Sequence, residues 1–419
     1  MPKREKYFAQ PPIELIRQLL DSGGWYDVAE FQFHTIVDLQ LVSAMGPPGG
    51  GRNPVTDRLL RHFVSVSLTP FEDSTINLIF SSIMRWHFDR FPKFAPTVQA
   101  LTDKLVIGTR ELYGIVTTKL LPTPAKTHYS YNLRDISRVF QGLCMSTPDA
   151  YPEPLVFLRL WVHEVHRVFC DRLVNDEDAL VFLEGVKQII KTRFVTDFSK
   201  LMAGVADSEE SAAAPAPSPS NVDAAASTSP SAGAAGGRPD SAMPVAKIDP
   251  DMEKVRSLFF GDYMSRGRSK DYVEIADIKG LFNVFVNYLE DYNAVTSKPM
   301  NLSLFRFAIE HVSRIARILK QPGGHALLVG VGGSGKQSLT RLAASVLEYE
   351  CMSIELTKSF GNEEWRTFLR KLLRRCGGDG KHTVFLLNDS QIKSESFLEV
   401  NTPSEIRTAP LTKLRSTPP

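Results

Sequence analysis

Gly330-Val331-Gly332-Gly333-Ser334-Gly335-Lys336, followed by Gln337 and Ser338, is the stretch whose reading decides the fold. Its glycines let the backbone curl until successive N–H groups converge, and the lysine at the end of the curl adds a mobile cation. On its amino side, His325-Ala326-Leu327-Leu328-Val329 is a short apolar run of the kind a buried strand needs. On its carboxyl side, Leu339, Leu342, Ala343, Val346 and Leu347 recur at helical spacing. Strand, glycine loop, lysine and helix in that order form a phosphate loop. The N–H groups and the positive helix end cradle the β-phosphate of a nucleotide, and Lys336 reaches the β/γ oxygens. A glycine-rich turn that merely contains a lysine is the plain alternative, and it leaves the flanking strand and helix unexplained. One position departs from the pattern. Ser or Thr normally follows the lysine to touch Mg²⁺, whereas here Gln337 stands there and Ser338 comes one place later. Nucleotide binding survives that change more easily than metal placement does.

Working outward, Val384-Phe385-Leu386-Leu387 runs into Asn388-Asp389, which puts Asp389 at the carboxyl end of a predicted central strand. A carboxylate there can hold the water shell of Mg²⁺. Alone, Asp389 would read as a strand-end turn former; the upstream loop raises it above that. A ring NTPase usually follows this Asp with a Glu that activates the attacking water, and here the next residue is Ser390. A serine hydroxyl has no accessible basic pKa and cannot do that work. Between the two motifs, Cys351 to Leu356 reads as another strand, and Trp365, Phe368, Leu369, Leu372 and Leu373 form a helical stripe. Residues 325–389 therefore predict a doubly wound parallel α/β layer.

At 419 residues the chain is long enough for two or three domains. Lys+Arg 49 against Asp+Glu 47 gives a net charge of +2, so no global electrostatic case for nucleic acid exists. The densest basic cluster, Arg370, Lys371, Arg374 and Arg375, falls on the polar side of the predicted 365–373 helix and reads as a solvated face. Cys144, Cys170, Cys351 and Cys376 have no C-x-x-C spacing, which favours reduced thiols over a disulfide or zinc framework. No run approaches the ~18 apolar residues of a membrane span, and the charged start Met1-Pro2-Lys3-Arg4-Glu5-Lys6 leads into no apolar signal core. His163-Glu164-Val165-His166 invites a metal reading, but zincin helices space their histidines four apart and these are three apart. A polar helix edge is the expectation there.

Composition divides the chain. Residues 206–247 are dominated by Ala, Pro, Ser and Gly with no Leu, Ile or aromatic residue, so they predict a disordered insertion. Residues 1–68 hold an apolar helix over Ile13 to Leu20, a predicted buried strand over Thr35 to Val42, a helical Arg58 to Arg61 and a second strand over Phe63 to Leu68. The glycine-rich loop Gly46 to Arg52 between them lacks a lysine in phosphate-loop spacing. From 69 to 205 the pattern is helical, with stripes such as Ile76, Ile79, Phe80, Ile83 and Leu155, Leu158, Trp161, Val162, Val165, which predict a helical lid. Residues 248–298 form a helical lead-in, with Leu281, Val284, Phe285, Tyr288 and Leu289 on one side, to the phosphate-loop subdomain of 299–399.

These residues carry a family resemblance. Gln10-Pro11-Pro12-Ile13-Glu14-Leu15-Ile16-Arg17, Gly46 to Asn53 and Asn132 to Gln141 resemble the third AAA+ module of an axonemal dynein heavy chain. Pro299-Met300-Asn301-Leu302, Arg306 to His311 and Gly330 to Leu339 resemble its fourth. The resemblance spans residues 5 to about 399 apart from the insertion. It implies incomplete AAA+ modules with an α-helical lid, taken from a minus-end-directed microtubule motor of cilia and flagella. It further implies that Gly330, Val331, Gly332, Gly333, Ser334, Gly335, Lys336, Gln337 and Ser338 bind ATP or ADP, and that Asp389, with Ser338, serves Mg²⁺. The departures at Gln337 and Ser390 resemble the axonemal fourth module itself and imply a regulatory site with slow hydrolysis. Arg61 matches the arginine-finger region that serves a neighbouring module, with Arg52 and Arg58 as competing choices, and Arg134 matches the sensor-2 region of the lid. Taken singly, each arginine would read as a surface salt bridge. Implied partners are the remaining modules of the heavy chain and, through the full-length motor, intermediate and light chains and microtubules. No nucleic acid or membrane partner is implied. The implied location is the cytoplasm and cytoskeleton, at the axoneme. Residues 400–419 are rich in Thr and Pro and depart from the family, as a truncated or misjoined gene model would.

Two other readings compete. A stand-alone P-loop enzyme such as a kinase needs a catalytic acid and a substrate pocket after Asp389. A purely structural ring segment that no longer binds nucleotide is kept open by Gln337 and Ser390.

Overall fold

The computed structural model describes residues 4–7, 10–46, 53–91, 93–203, 205, 249–264, 271–296, 298–355, 360–392 and 397. The 206–247 insertion, the 400–419 tail, Arg52 and most of the 46–52 loop lie outside them. Two compact units emerge, residues 1–71 and 72–419.

In the first unit, helix α1 (Pro11–Ser22) begins on two prolines, whose fixed φ suits a first turn, and stops at Gly23 in the left-handed region. Strand β1 (Gly24–Tyr26) pairs antiparallel with β2 (Phe33–Thr35), and a short helix α2 (Asp57–Leu60) follows. The strands expected over 35–42 and 63–68 do not form. Val42 and Val64 are both 94% exposed. A buried strand needs neighbours on its edges and layers on its faces, and among the described residues this unit supplies one hairpin only.

The second unit starts with the helical layer anticipated from the apolar stripes. It comprises α3 (Asp73–Arg90), α4 (Pro96–Gln99), α5 (Thr102–Lys119), α6 (Leu133–Leu143), α7 (Pro154–Val165), α8 (Asp176–Ile189) and α9 (Phe198–Leu201). Helix α5 packs against α3 and α8, and α6 against α7. Phe80 and Phe140 stack at 4.7 Å, and the fully buried Trp161 donates its indole N–H to Thr109 Oγ1 at 2.8 Å. That bond satisfies the one polar atom of the largest core side chain. Helix α6 opens on a reciprocal cap: Asn132 accepts from the Arg134 N–H, and Asp135 accepts from the Asn132 N–H. Helices α7 and α8 each run on into a π-turn, His166–Cys170 and Ile190–Phe194.

The chain then returns through α10 (Pro250–Arg256) to a hairpin of β3 (Phe259–Gly261) and β4 (Val273–Ile275), which the helical reading of 248–298 did not foresee. Successive strand side chains point to opposite faces. Accordingly Phe260 enters the lid core with Tyr272, while its neighbour Phe259 enters a second core built by α11 (Ile278–Val295), α12 (Arg306–Lys320) and α13 (Lys336–Val346). One hairpin thus knits lid and following module. Tyr151 donates to the Tyr272 carbonyl at 2.7 Å, and Arg159 grips Glu274 through two nitrogens at 2.7 and 2.8 Å.

Beyond α13, strands β5 (Glu350–Ser353) and β6 (Thr383–Leu386) pair in parallel, Glu350 opposite Thr383, with α14 (Asn362–Leu373) between them in sequence. Helix α13 packs on both strands, which is the right arrangement for an α/β layer. Trp365 closes a small third core with Ile354 and Phe397. The predicted strand at 325–329 does not form: Leu327 is 89% and Val329 88% exposed, and no described strand hydrogen-bonds to it. Without a ladder its backbone keeps its solvent partners. In the basic cluster Arg370, Lys371 and Arg374 are exposed as expected, while Arg375 is half-buried against Glu350. All four cysteines are free thiols, and among the described residues no helix is long and apolar enough to cross a membrane.

Candidate nucleotide-binding site

The glycine loop leads directly into α13, whose first residue is Lys336. Gly333 (φ +80°) and Gly335 (φ +75°) both adopt left-handed backbone, which a side chain would strain, and together they turn the chain into the helix. The Ser334 N–H donates to the Val331 carbonyl at 3.4 Å, closing the turn. Into this curl folds Lys336, whose Nζ donates to the Gly330 and Val331 carbonyls at 2.7 and 2.8 Å and approaches Ser334 Oγ at 3.4 Å. The ammonium therefore sits inside its own loop, held by neutral acceptors. A phosphate oxygen there would offer it a charge-assisted bond about twice as strong. The start of α13 has no side-chain cap and no acidic residue in its first turn. Its N–H groups and partial positive charge are left for an anion. Ser338 lies half-buried on that first turn, and Gln337 beside it is exposed.

Asp389 stands just past β6, at the start of the short 3₁₀ turn Asp389–Gln391, with its carboxylate exposed and accepting the Ser390 N–H at 2.9 Å. Buried Gln391 fixes that turn, donating to the Ile354 carbonyl at 2.7 Å and accepting the Asn388 N–H at 2.9 Å. Asp389 thus ends a strand on which α13 packs. An exposed carboxylate there and the Ser338 hydroxyl suit a hard cation in chemical type. Ser390 is exposed and next to Asp389, but it is no base.

The arginines are dispersed. Arg61 caps α2 and is held by Asp21 at 2.7 Å; Arg58 lies on the same helix. Arg134 is exposed at the start of α6, where its backbone N–H serves the helix cap.

The reading of 163–166 as a polar helix edge is overturned. His163, Glu164 and His166 are all buried, with Glu164 at 0% exposure. Arg317 of α12 grips Glu164, its Nε lying 3.1 and 3.2 Å from the two carboxylate oxygens, and Tyr272 donates to Glu164 at 3.2 Å. Burial would raise the Glu164 carboxyl, but the Arg317 guanidinium and His163 hold it down at about 2. Burial pushes His163 down to about 4 despite its bond to Glu164, so the ring is neutral near pH 7. Nearby, Glu310 of α12 accepts from Arg256 at 3.0 Å and Arg314 at 3.3 Å. The signal was present in the sequence: opposite charges interrupt two apolar stripes, Glu164 among Trp161, Val162 and Val165, and Glu310 and Arg317 among Ile309, Val312 and Ala316. Helix α12 ends at Lys320, and Gln141 of α6 hooks the Pro322 carbonyl at 3.1 Å. The lid therefore grips the chain just ahead of the glycine loop.

Comparison with known proteins accords with this geometry. Residues 300–402 match the family described as P-loop containing dynein motor region D4, residues 1–71 match P-loop containing dynein motor region, and residues 105–203 match AAA+ lid domain. The chain is thus a P-loop AAA+ protein with a helical lid. It is 42% identical over 400 residues to dynein axonemal heavy chain 3 of Mus musculus, covering 95% of this chain and 9% of that protein. Dynein axonemal heavy chain 12 of Mus musculus is 42% identical over 376 residues, with coverages of 89% and 11%, and dynein axonemal heavy chain 1 of Mus musculus 41% over 410 residues, with 95% and 8%. The chain belongs to the axonemal dynein heavy chains and spans about a tenth of the length of these relatives.

Proposed function

We infer that this segment binds ATP or ADP in the Gly330–Ser338 loop and turns it over slowly, as a regulatory site in a dynein motor ring. The observation that carries this is Lys336, folded into the curl of its own loop at 2.7 and 2.8 Å from two carbonyls, at the start of a helix without an acid or a cap. A triphosphate supplies a scissile anhydride, and Mg²⁺ supplies charge that Asp389 and Ser338 are of the right chemistry to hold. The chain's own contribution is positional. The glycine N–H groups and Lys336 orient the phosphates, and Ser390 leaves the water without a base. Arg61 and Arg134 are proposed, respectively, as an arginine finger toward a neighbouring module and a lid sensor. The proposed setting is the axoneme, where the complete heavy chain would drive microtubule-based ciliary movement with its other modules and with intermediate and light chains.

Titration of a fluorescent ATP analogue into the 419-residue chain tests the reading. Saturable binding that Lys336→Ala weakens at least tenfold, with an unchanged thermal transition, is the expected result. Absence of saturable binding in the unaltered chain would favour the purely structural ring segment, and equal binding by both proteins would show that the nucleotide sits elsewhere than in this loop.

A further inference from the structure

Beside the Glu164–Arg317 pair lies a cleft of about 270 Å³, open mouth included, at the seam of lid and α12. Four arginines line it, Arg167, Arg256, Arg314 and Arg317, with Glu310 as the single carboxylate on its wall. The surrounding charges do not balance. Arg317 is matched by Glu164, Arg256 by Glu310, and Arg306 by Glu253 at 3.3 Å. Arg314 is divided between Glu310, which it shares with Arg256, at 3.3 Å and Asp171 at 3.5 Å, and Asp171 also serves Arg167 at 3.4 Å. Five guanidinium groups (Arg167, Arg256, Arg306, Arg314, Arg317) thus face four carboxylates (Glu164, Glu310, Glu253, Asp171). His163 and His166 add no charge near neutral pH, because burial depresses both.

Hydrogen bonding repeats the deficit. Arg167 is 93% buried at its side chain, from an exposure of 7%, and its Nε–H is buried without a partner. The Nε–H of Arg314 makes no hydrogen bond and has only Asp171, at 3.5 Å, as a counter-charge. An uncompensated buried cation is among the costliest features a fold can carry, and a buried donor without an acceptor adds to it. An acceptor bearing one negative charge in the cleft removes both costs together, whereas a water removes only the second. The enclosed part of the cleft has space for about one water-sized body, which suits a small anion better than a phosphate ester.

We propose that this cleft binds a chloride-sized monovalent anion, held by Arg167 and Arg314. The anion would complete the charge balance of the seam through which the lid grips α12. None of the residues that line the cleft belongs to the Gly330–Ser338 loop.

The test is thermal unfolding of the 419-residue chain at constant ionic strength, with chloride replaced stepwise by methanesulfonate, an anion too large for the cleft. Saturable stabilisation by chloride of roughly 2–4 °C is expected, and Arg167→Gln, which cancels the excess charge, should abolish the response. Equal transition temperatures in the two salts, or the same chloride response in Arg167→Gln, would overturn the proposal. Should that variant fail to fold, crystals of the unaltered chain grown in bromide decide the point. An anomalous peak within contact of Arg167 Nε supports the site, and a cleft without one refutes it.

Discussion

Removing Glu164 should be the single most damaging substitution at the seam. Its carboxylate is at 0% exposure, and in Glu164→Ala the Arg317 guanidinium would stay buried without a counter-charge. His163 and Tyr272, whose bonds of 3.3 and 3.2 Å end on the same oxygen, would each lose their acceptor. Breaking a buried pair from one side costs ~3–5 kcal/mol, which lowers Tm by roughly 6–10 °C for a unit of this size. Arg317→Met should cost a similar amount, since it strands the carboxylate. The double variant Glu164→Leu/Arg317→Met should cost less than the two singles together, with a coupling energy of about 2–3 kcal/mol. It should not recover fully, because the Tyr272 hydroxyl remains buried without its partner. Urea unfolding of the four proteins, with equal m-values required before comparison, supplies the numbers. Additive singles, or a Glu164→Ala cost below about 1 kcal/mol, would refute the reasoning and mean that the seam is held by its apolar contacts alone.

Gly142 of α6 faces the same carboxylate: a Cβ added there would meet Glu164 Oε2 at 1.7 Å. Gly142→Ala should therefore destabilise by about 1–3 kcal/mol in calorimetry, as overpacking at a rigid helix contact does, while Gly114→Ala, with open space at its Cβ, should be neutral or stabilising. Acid should loosen the same seam before it protonates most surface carboxylates. His163 titrates near 4 when folded against an ordinary 6.5, so the unfolded chain binds the extra proton and stability falls from pH 6.5 down to about 4. The Glu164 contribution is whole above its ordinary 4.5 and is lost as pH drops toward 2. Each group contributes a slope of about 1.4 kcal/mol per pH unit inside its window, and His163→Phe should lessen the upper slope by that amount in a pH series of urea melts, while the buried His166 keeps its own share. At the nucleotide site, Ser390→Glu should raise steady-state ATP turnover by ~10²-fold or more in a protein that also carries the neighbouring module's arginine; unchanged turnover would show that a missing base is not what limits the site.

Much of this protein was legible as local pattern. The lid helices followed from apolar residues recurring at helical spacing, because one stripe of each helix must leave water whatever it meets. The glycine loop, its lysine and the helix behind it were equally readable, since left-handed backbone at Gly333 and Gly335 is a local demand that only glycine meets cheaply. Long-range partnership was not legible. The apolar runs 35–42, 63–68 and 325–329 have strand-like composition, yet a strand exists only where a neighbouring strand supplies its ladder, and that neighbour is chosen by the tertiary fold. Glu164 shows the same limit. Its sequence neighbours His163 and His166 suggested a solvated edge, and only the arrival of Arg317, 153 residues later in the chain, makes a fully buried carboxylate tolerable. The β3–β4 hairpin, with Phe259 and Phe260 in different cores, belongs to the same category. Composition and period determine which residues must be buried or turned, because those costs are paid residue by residue, whereas pairing energies arise between distant segments and exist only once the fold has brought them together.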